Sequence, residues 1–158
     1  MARYVFEGQT KVSLVNAIAT IATPSLSELN AGTDISGFLT KDGLNTPQNQ
    51  NMVDSATLAD TFDAQLVGSW GGSIELTGFR DNVDDDFWDL LSYGLNSHLV
   101  IRYGEPQAGV WANGDIVAVY PVQTHQPIMS PTAANEQARF KVMAAVTKQP
   151  NLIAVAAT

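Results

Sequence analysis

The chain has 158 residues, 45% of them hydrophobic and none of them cysteine. That is enough for one globular domain burying roughly 68–70% of its unfolded surface without cross-links, and it excludes a disulfide framework and a thiolate metal site. Sixteen acids against eight Lys and Arg give a formal charge of −8, a poor balance for gripping nucleic acid, since phosphate binding rests on basic side chains.

Residues 1–8 contain no signal-peptide apolar run, and no stretch approaches the roughly 20 apolar residues that span a bilayer. The sequence therefore reads as a soluble protein made in a cytoplasm. Residues 11–22 carry Val12, Leu14, Val15, Ala17, Ile18, Ala19, Ile21 and Ala22, which predicts a strand partly buried on both faces. Thr23 then offers a cap, Pro24 a first helical position and Gly32 a left-handed stop, so one or two helical turns are expected between them. A short strand is expected through Ile35, Phe38 and Leu39. The segment 41–61 turns polar, with Lys41, Asp42, Gly43, Leu44, Asn45, Thr46, Pro47, Gln48, Asn49, Gln50 and Asn51 in succession, and reads as a long loop or an extended hairpin. Loops of that length in compact domains carry function or are disordered.

Residues 62–68 and 73–79 alternate in the manner of half-buried strands: Phe62, Ala64 and Leu66 oppose Asp63 and Gln65, and Ile74 and Leu76 oppose Glu75 and Thr77. Ser69, Trp70, Gly71 and Gly72 between them read as a hairpin turn or a bulge. One helix is predicted over 82–93. Val83, Phe87, Leu90 and Leu91 fall at i, i+4, i+7 and i+8 on one stripe, Asp81 or Asn82 caps it, and Gly94 follows as a stop. Strands return at 97–103, at Ile116–Tyr120 within 110–122, at 136–147 and at 152–156. The whole is mainly β: an antiparallel β-sandwich or partial barrel of seven or eight strands, one flanking α-helix, one marginal helix and a long polar loop. No internal repeat or linker divides it, so residues 1–158 read as a single domain.

Chemistry-bearing constellations are sparse. Asp81, Asp84, Asp85, Asp86 and Asp89 form the densest acidic cluster, but calcium loops set oxygens at alternate positions around a central glycine; a helix start using its dipole accounts for them. His98 and His125 lack the spacing of a zinc site and any nucleophile motif. Trp70 and Trp111 flank glycine-rich turns and suit an interface or a sugar platform, while Trp88 packs beside the helix stripe. The glycine run 68–72 has no following helix or lysine and is no phosphate cradle. No active site, metal site or cofactor site emerges.

Several features coincide in order. They are the stretch Thr23 to Ile35, the polar 41–61 segment, the paired strands of 62–79, Phe79-Arg80-Asp81, the acid-started helix ending near Leu90-Leu91, Ile101-Arg102-Tyr103-Gly104, Gly114-Asp115 and Pro121-Val122-Gln123. Together, over residues 12–148, they resemble the major tail (tail tube) proteins of siphophages. The resemblance implies a non-enzymatic structural subunit of the virion tail, six copies closing a ring and rings stacking into the conduit through which DNA leaves. Strands from each copy would line the lumen. Residues 43–51 of the early loop would reach the adjacent ring, and about 1–10 and 148–158 would serve as a terminal arm and a terminal strand or arm. It also implies tape measure, tail terminator and tail tip proteins as partners, no cofactor, no membrane, and DNA that passes without specific binding. A negative subunit suits such a conduit, because like charge denies phosphates adhesive contacts; Asp63 and Glu75, on the polar faces of the paired strands, are the candidate lumen acids. Two alternatives remain: the inner tube of a contractile tail or secretion machine, and a carbohydrate-binding β-sandwich using Trp70 and Trp111.

Overall fold

The computed structural model describes residues 3–158. The first strand, β1 (Thr10–Val15), buries Val12 and Leu14 on one face and Ser13 and Val15 on the other. It ends seven residues before the expected point. Residues 16–22 run as irregular chain, with Ile18 buried, and an unbroken apolar run does not by itself separate strand from packed coil. Helix α1 (Leu26–Ala31) starts two residues later than the sequence suggested. Ser25, not Thr23, is its cap: Ser25 Oγ accepts from the Glu28 N–H and Glu28 Oε2 accepts from the Ser25 N–H at 2.9 Å, a reciprocal capping box. The N–H groups of Ala19 and Ser25 hold the Glu28 carboxyl below its ordinary range. Ser25→Ala is expected to cost about 1 kcal/mol; urea unfolding with an unchanged midpoint would show the cap to be dispensable.

Gly32 ends α1 at φ −74°, which is not left-handed. Its role is proximity instead, since a Cβ there would stand 2.6 Å from Val15 Cγ2. After β2 (Thr33–Asp34) the chain forms β3 (Leu39–Asn45), β4 (Gln48–Asp54) and β5 (Gln65–Phe79). β3 and β4 share one register on β5: Leu44 faces Leu76, Asn45 faces Glu75, Gln48 faces Gly72 and Gln50 faces Trp70. They are one course interrupted at Pro47, which has no N–H to give to a ladder. The polar segment is thus the outgoing limb of a long hairpin, and the connecting tip is 55–64. Residues 69–72 are not a turn. They lie inside the 15-residue β5, where Gly68 and Ser69 together oppose Asn51 across a register shift, the bulge of the two readings offered.

Helix α2 (Asp86–Leu90) is five residues long, shorter than the 82–93 expected. Asp81 Oδ1 accepts from the N–H of Val83 at 2.9 Å, which ties the preceding residues into a turn of their own. The remaining strands are β6 (Asn96–Tyr103), β7 (Ile116–Thr124), β8 (Ile128–Met129), β9 (Arg139–Val146) and β10 (Asn151–Val155). The order across the sheet is β2-β1-β6-β7-β9-β5-β3, with β10 added to β7, β4 to β5 and β8 to β9. Every strand pairing is antiparallel.

β7 explains the curl. One side pairs with β6 along nearly its whole length, while the other is divided between β10 at Ile116–Val119 and β9 at Val122–Thr124. The sheet forks there and bends into a half-barrel. Alternation then fills two cores. Leu14, Leu99, Ile101, Tyr120, Val142 and Leu76 point inward with Phe87 of α2. Val15, Val100, Val117 and Val119 point outward under Leu29 of α1, Trp111 and Ala154 of β10. Of the expected terminal arms, Met1 and Ala2 lie outside the described residues, Phe6 stacks near Tyr103 at 6.2 Å, and the C-terminal segment is the strand β10.

Candidate assembly interface

The outer half of the β4–β5 hairpin leaves the body of the domain. Every residue of β4 is exposed, as are most of the first seven of β5. Apolar side chains stand in solvent on both of its faces: Met52, Val53, Leu66, Val67 and Trp70 along the limbs, Leu58 and Phe62 at the tip. A lone two-stranded hairpin is marginal in water, and contiguous exposed apolar surface marks an interaction site. Local bonds shape the arm. Asn51 Nδ2 donates to Ser69 Oγ across the bulge at 3.0 Å, the Ser55 N–H reaches the Ala64 carbonyl, and Thr57 donates from both N–H and hydroxyl to Asp60. Those Thr57 bonds hold the Asp60 carboxyl below its usual range.

The nine residues 43–51 divide between body and arm. Gly43 is buried at a register shift where its backbone meets the Thr77 carbonyl, and Leu44 packs against the inner core. Asn45, Pro47, Gln48, Asn49, Gln50 and Asn51 are exposed, with Thr46 half-buried. Asp63 and Glu75 are not on adjacent strands. Asp63 sits in the tip before β5 begins, whereas Glu75 lies within β5 and is ion-paired to Lys141 of β9 at 2.5 Å. Of the four helix-stripe residues, Phe87 and Leu91 are buried and Leu90 is partly buried against the core. Val83 is the exception, 86% exposed and ahead of the helix. The four-residue spacing from Val83 to Phe87 mimics a turn that the chain does not make.

The acidic residues around α2 have separate jobs. Asp85 pairs with Arg80 at 2.5 Å, and the Arg80 guanidinium lies 4.0 Å over the Trp88 ring. Trp88 in turn meets Phe140 edge-on at 5.1 Å. Among the described residues no group of three His, Asp or Glu is placed to hold a metal ion. His98 sits in β6, where burial and the charge of Lys148 keep its pKa below the ordinary value; His125 follows β7 beside Tyr93. Trp111 is buried in the outer core, so it offers no sugar platform. What sequence reasoning missed is its neighbourhood: Arg102, 2% exposed, pairs with Asp115 at 2.8 Å beside the Trp111 ring. Sequence reading placed Arg102 only within the strand expected at 97–103.

The described residues form a half-barrel from which the β4–β5 arm projects. The family model described as phage tail tube protein matches residues 1–158. The chain belongs to that family. A tail tube protein is a structural component of the phage tail. No curated protein matches the sequence significantly. Among solved structures, this tail tube protein is similar to a chain of the six-fold symmetrised anti-feeding prophage baseplate, with a TM-score of 0.56 at 12% identity and 96% of each chain covered. It is also similar to a chain from the tail of an empty gene transfer agent particle refined with C6 symmetry, with a TM-score of 0.51 at 15% identity over 92% of this chain and 95% of that one. A chain of the native gene transfer agent virion gives 0.51 at 14% identity, over 90% and 95%. At such identities the likeness is one of fold, and it agrees with the mainly β, antiparallel sandwich or partial barrel read from the sequence. No helix among the described residues is long and apolar enough to cross a membrane.

Proposed function

We propose that this tail tube protein closes into hexameric rings that stack into a conduit for DNA, and that it carries no enzymatic activity of its own. The observation that carries the reading is the projecting hairpin, whose Leu58, Phe62, Leu66 and Val67 have no cover in the isolated subunit. Residues 43–51 supply the base and outgoing limb of that arm and, with the tip, make the contact between rings. Asp63 and Glu75 remain the candidate lumen acids; Glu75 acts there as one half of a cancelled pair, and Asp63 as a free carboxylate at the tip. Tape measure, tail terminator and tail tip proteins are its partners at the ends and centre of the tube. The likeness to the anti-feeding prophage baseplate supports the inner tube of a contractile machine as a second reading, which a sheath around the isolated particle would establish.

Shortening the arm tests the proposal. Residues 51–69 are replaced by Asn-Gly, a two-residue hairpin turn, joining Gln50 to Trp70, which already face one another. The subunit is expected to keep its circular dichroism and its melting temperature within a few degrees, because nothing buried is removed, while tubes vanish from negative-stain images. Tubes of normal length from the shortened chain would refute the arm's role.

A further inference from the structure

Residues 155–157 run between two distant parts of the chain and bond to both. The Val155 N–H donates to the Ala22 carbonyl at 3.1 Å, the Ala157 N–H to the Pro24 carbonyl at 2.9 Å and the Leu26 N–H to the Ala157 carbonyl at 2.8 Å. Ala156 turns the other way: its N–H donates to the Asp115 carbonyl and its carbonyl accepts from the Gly114 N–H, both at 2.9 Å. The alternation is that of a strand, and Ala156 is 1% exposed. The turn gripped in this way runs from Ala112 to Asp115. It is closed internally by the Asp115 N–H to the Ala112 carbonyl and by the Ala112 N–H to Asp115 Oδ2. The same Oδ2 accepts from Arg102.

Asn113 is the only asparagine in the chain followed by glycine. It is exposed, and Gly114, at φ +93°, has open space where a Cβ would stand. We propose that Asn113-Gly114 is a self-modifying site held shut by the Ala156 carbonyl. In the reaction the Gly114 nitrogen loses its proton and its electron pair forms a bond to Asn113 Cγ. The Cγ–Nδ2 bond breaks, the departing nitrogen takes up a proton, and ammonia leaves a five-membered succinimide. One water then opens that ring at either carbonyl, giving aspartate or isoaspartate at position 113. Water is the sole co-reactant. The bond to Ala156 opposes the first step twice: it engages the proton that must leave, and it holds the nitrogen toward residue 156 and away from the Asn113 side chain. Modification therefore waits until residues 155–157 have come off the turn.

The product alters the turn that made it. Isoaspartate puts an extra carbon into the backbone between Ala112 and Asp115, whose mutual bonds set the Asp115 carboxylate against Arg102. Either product adds a negative charge two residues from Asp115, in a chain already at −8. A subunit whose segment 155–157 has detached is thus marked irreversibly, while one that keeps the segment seated stays intact.

Leu26 is the handle for a test. It is the first residue of α1, where proline is tolerated, and Ser25 before it is already extended at φ −77°, ψ 150°, as a residue before proline prefers. Leu26→Pro removes the N–H that holds the Ala157 carbonyl. Leu26→Ala removes much the same side-chain packing and keeps that N–H. The full chains are aged in mildly alkaline buffer, and deamidation at Asn113 is followed by mass spectrometry of the peptide that carries it. Folded wild type is expected to react at least about tenfold more slowly than wild type unfolded in urea, because only the locally opened fraction reacts. Leu26→Pro, folded by circular dichroism, is expected to react several-fold faster than Leu26→Ala. A second measurement needs no variant: in graded urea below the unfolding midpoint, deamidation of wild type should rise in step with hydrogen exchange at the Gly114 amide. Aged wild type that has reacted should melt lower, while Asn113→Ala, which cannot close the ring, keeps its melting curve. Folded wild type reacting as fast as the unfolded chain, a folded Leu26→Pro no faster than Leu26→Ala, or Gly114 exchange that quickens without deamidation would overturn the proposal.

Discussion

Arg102→Ala is expected to destabilise the subunit by about 3–5 kcal/mol, the cost of leaving a buried partner charge uncompensated. The guanidinium is 2% exposed and Asp115 8%. Its Nη1 donates to Asp115 Oδ2 and to the Val110 carbonyl, and its Nη2 to the carbonyls of Pro106 and Gly109. Asp115 also accepts from the Ala112 N–H at 2.9 Å. One cation therefore binds the connection between β6 and β7 at four points, and removing it strands carbonyls as well as a carboxylate. For a domain of about 150–250 residues each kcal/mol moves Tm by roughly 2–4 °C, so a fall on the order of 6–20 °C is expected. Arg102→Met with Asp115→Leu should recover much of the loss, since an apolar replacement leaves no orphaned charge. Scanning calorimetry showing an unaltered Tm for Arg102→Ala would mean that the clamp contributes nothing to folding.

Phe87→Ala should cost a similar amount, roughly 3–5 kcal/mol for a fully buried ring. The ring is 1% exposed and lies 5.2 Å from Phe140 and 6.4 Å from Phe38. Gly78 lacks a side chain where these rings converge: a Cβ there would stand about 3.0 Å from Phe140 and 3.1 Å from Phe87, so the cavity left by alanine has a backbone wall that cannot fill it. Val83→Ala serves as the internal control. At 86% exposure it should change stability by less than about 0.5 kcal/mol. Equal losses from the two substitutions, measured by urea unfolding, would place α2 differently from the packing described.

Strands whose faces alternate were legible from residues alone. β6 and β9 fall where Leu99 and Ile101, and Phe140, Val142 and Ala144, recur with period 2, and β7 and β10 fall on the apolar runs 116–120 and 152–156; Phe87 and Leu91 are buried and Leu90 lies against the core. The failures have physical causes. Ile18 and Ile21 are apolar because they cover the outer core, not because the chain is extended there, and Ala17, Ala19 and Ala22 stand exposed in irregular chain. Val83 copies a helical spacing outside the helix. Trp70, Gly71 and Gly72 carry turn chemistry inside a straight strand, because bulged antiparallel ladders also use glycine. The polar composition of Gln48 to Asn51 was visible, but it says only that water or a polar neighbour meets those residues. That they form a strand depends on pairing with residues twenty or more positions away, and no local pattern encodes that. Arg102 was hidden for the same reason: burial of a charge is decided by Asp115 and by three carbonyls, and alternation cannot report any of them.

The ladder between β5 and β9 joins Phe79 to Arg139 and Ser73 to Ala145, residues 60 and 72 positions apart along the chain. During synthesis the arm leaves the ribosome well before the strand that anchors its base. Chains of this topology fold slowly, because distant segments must meet before their contacts repay loop closure. A nascent subunit therefore exposes an apolar hairpin without the completed sheet it belongs to. Until translation passes residue 146, the end of β9, the arm has no finished sheet behind it.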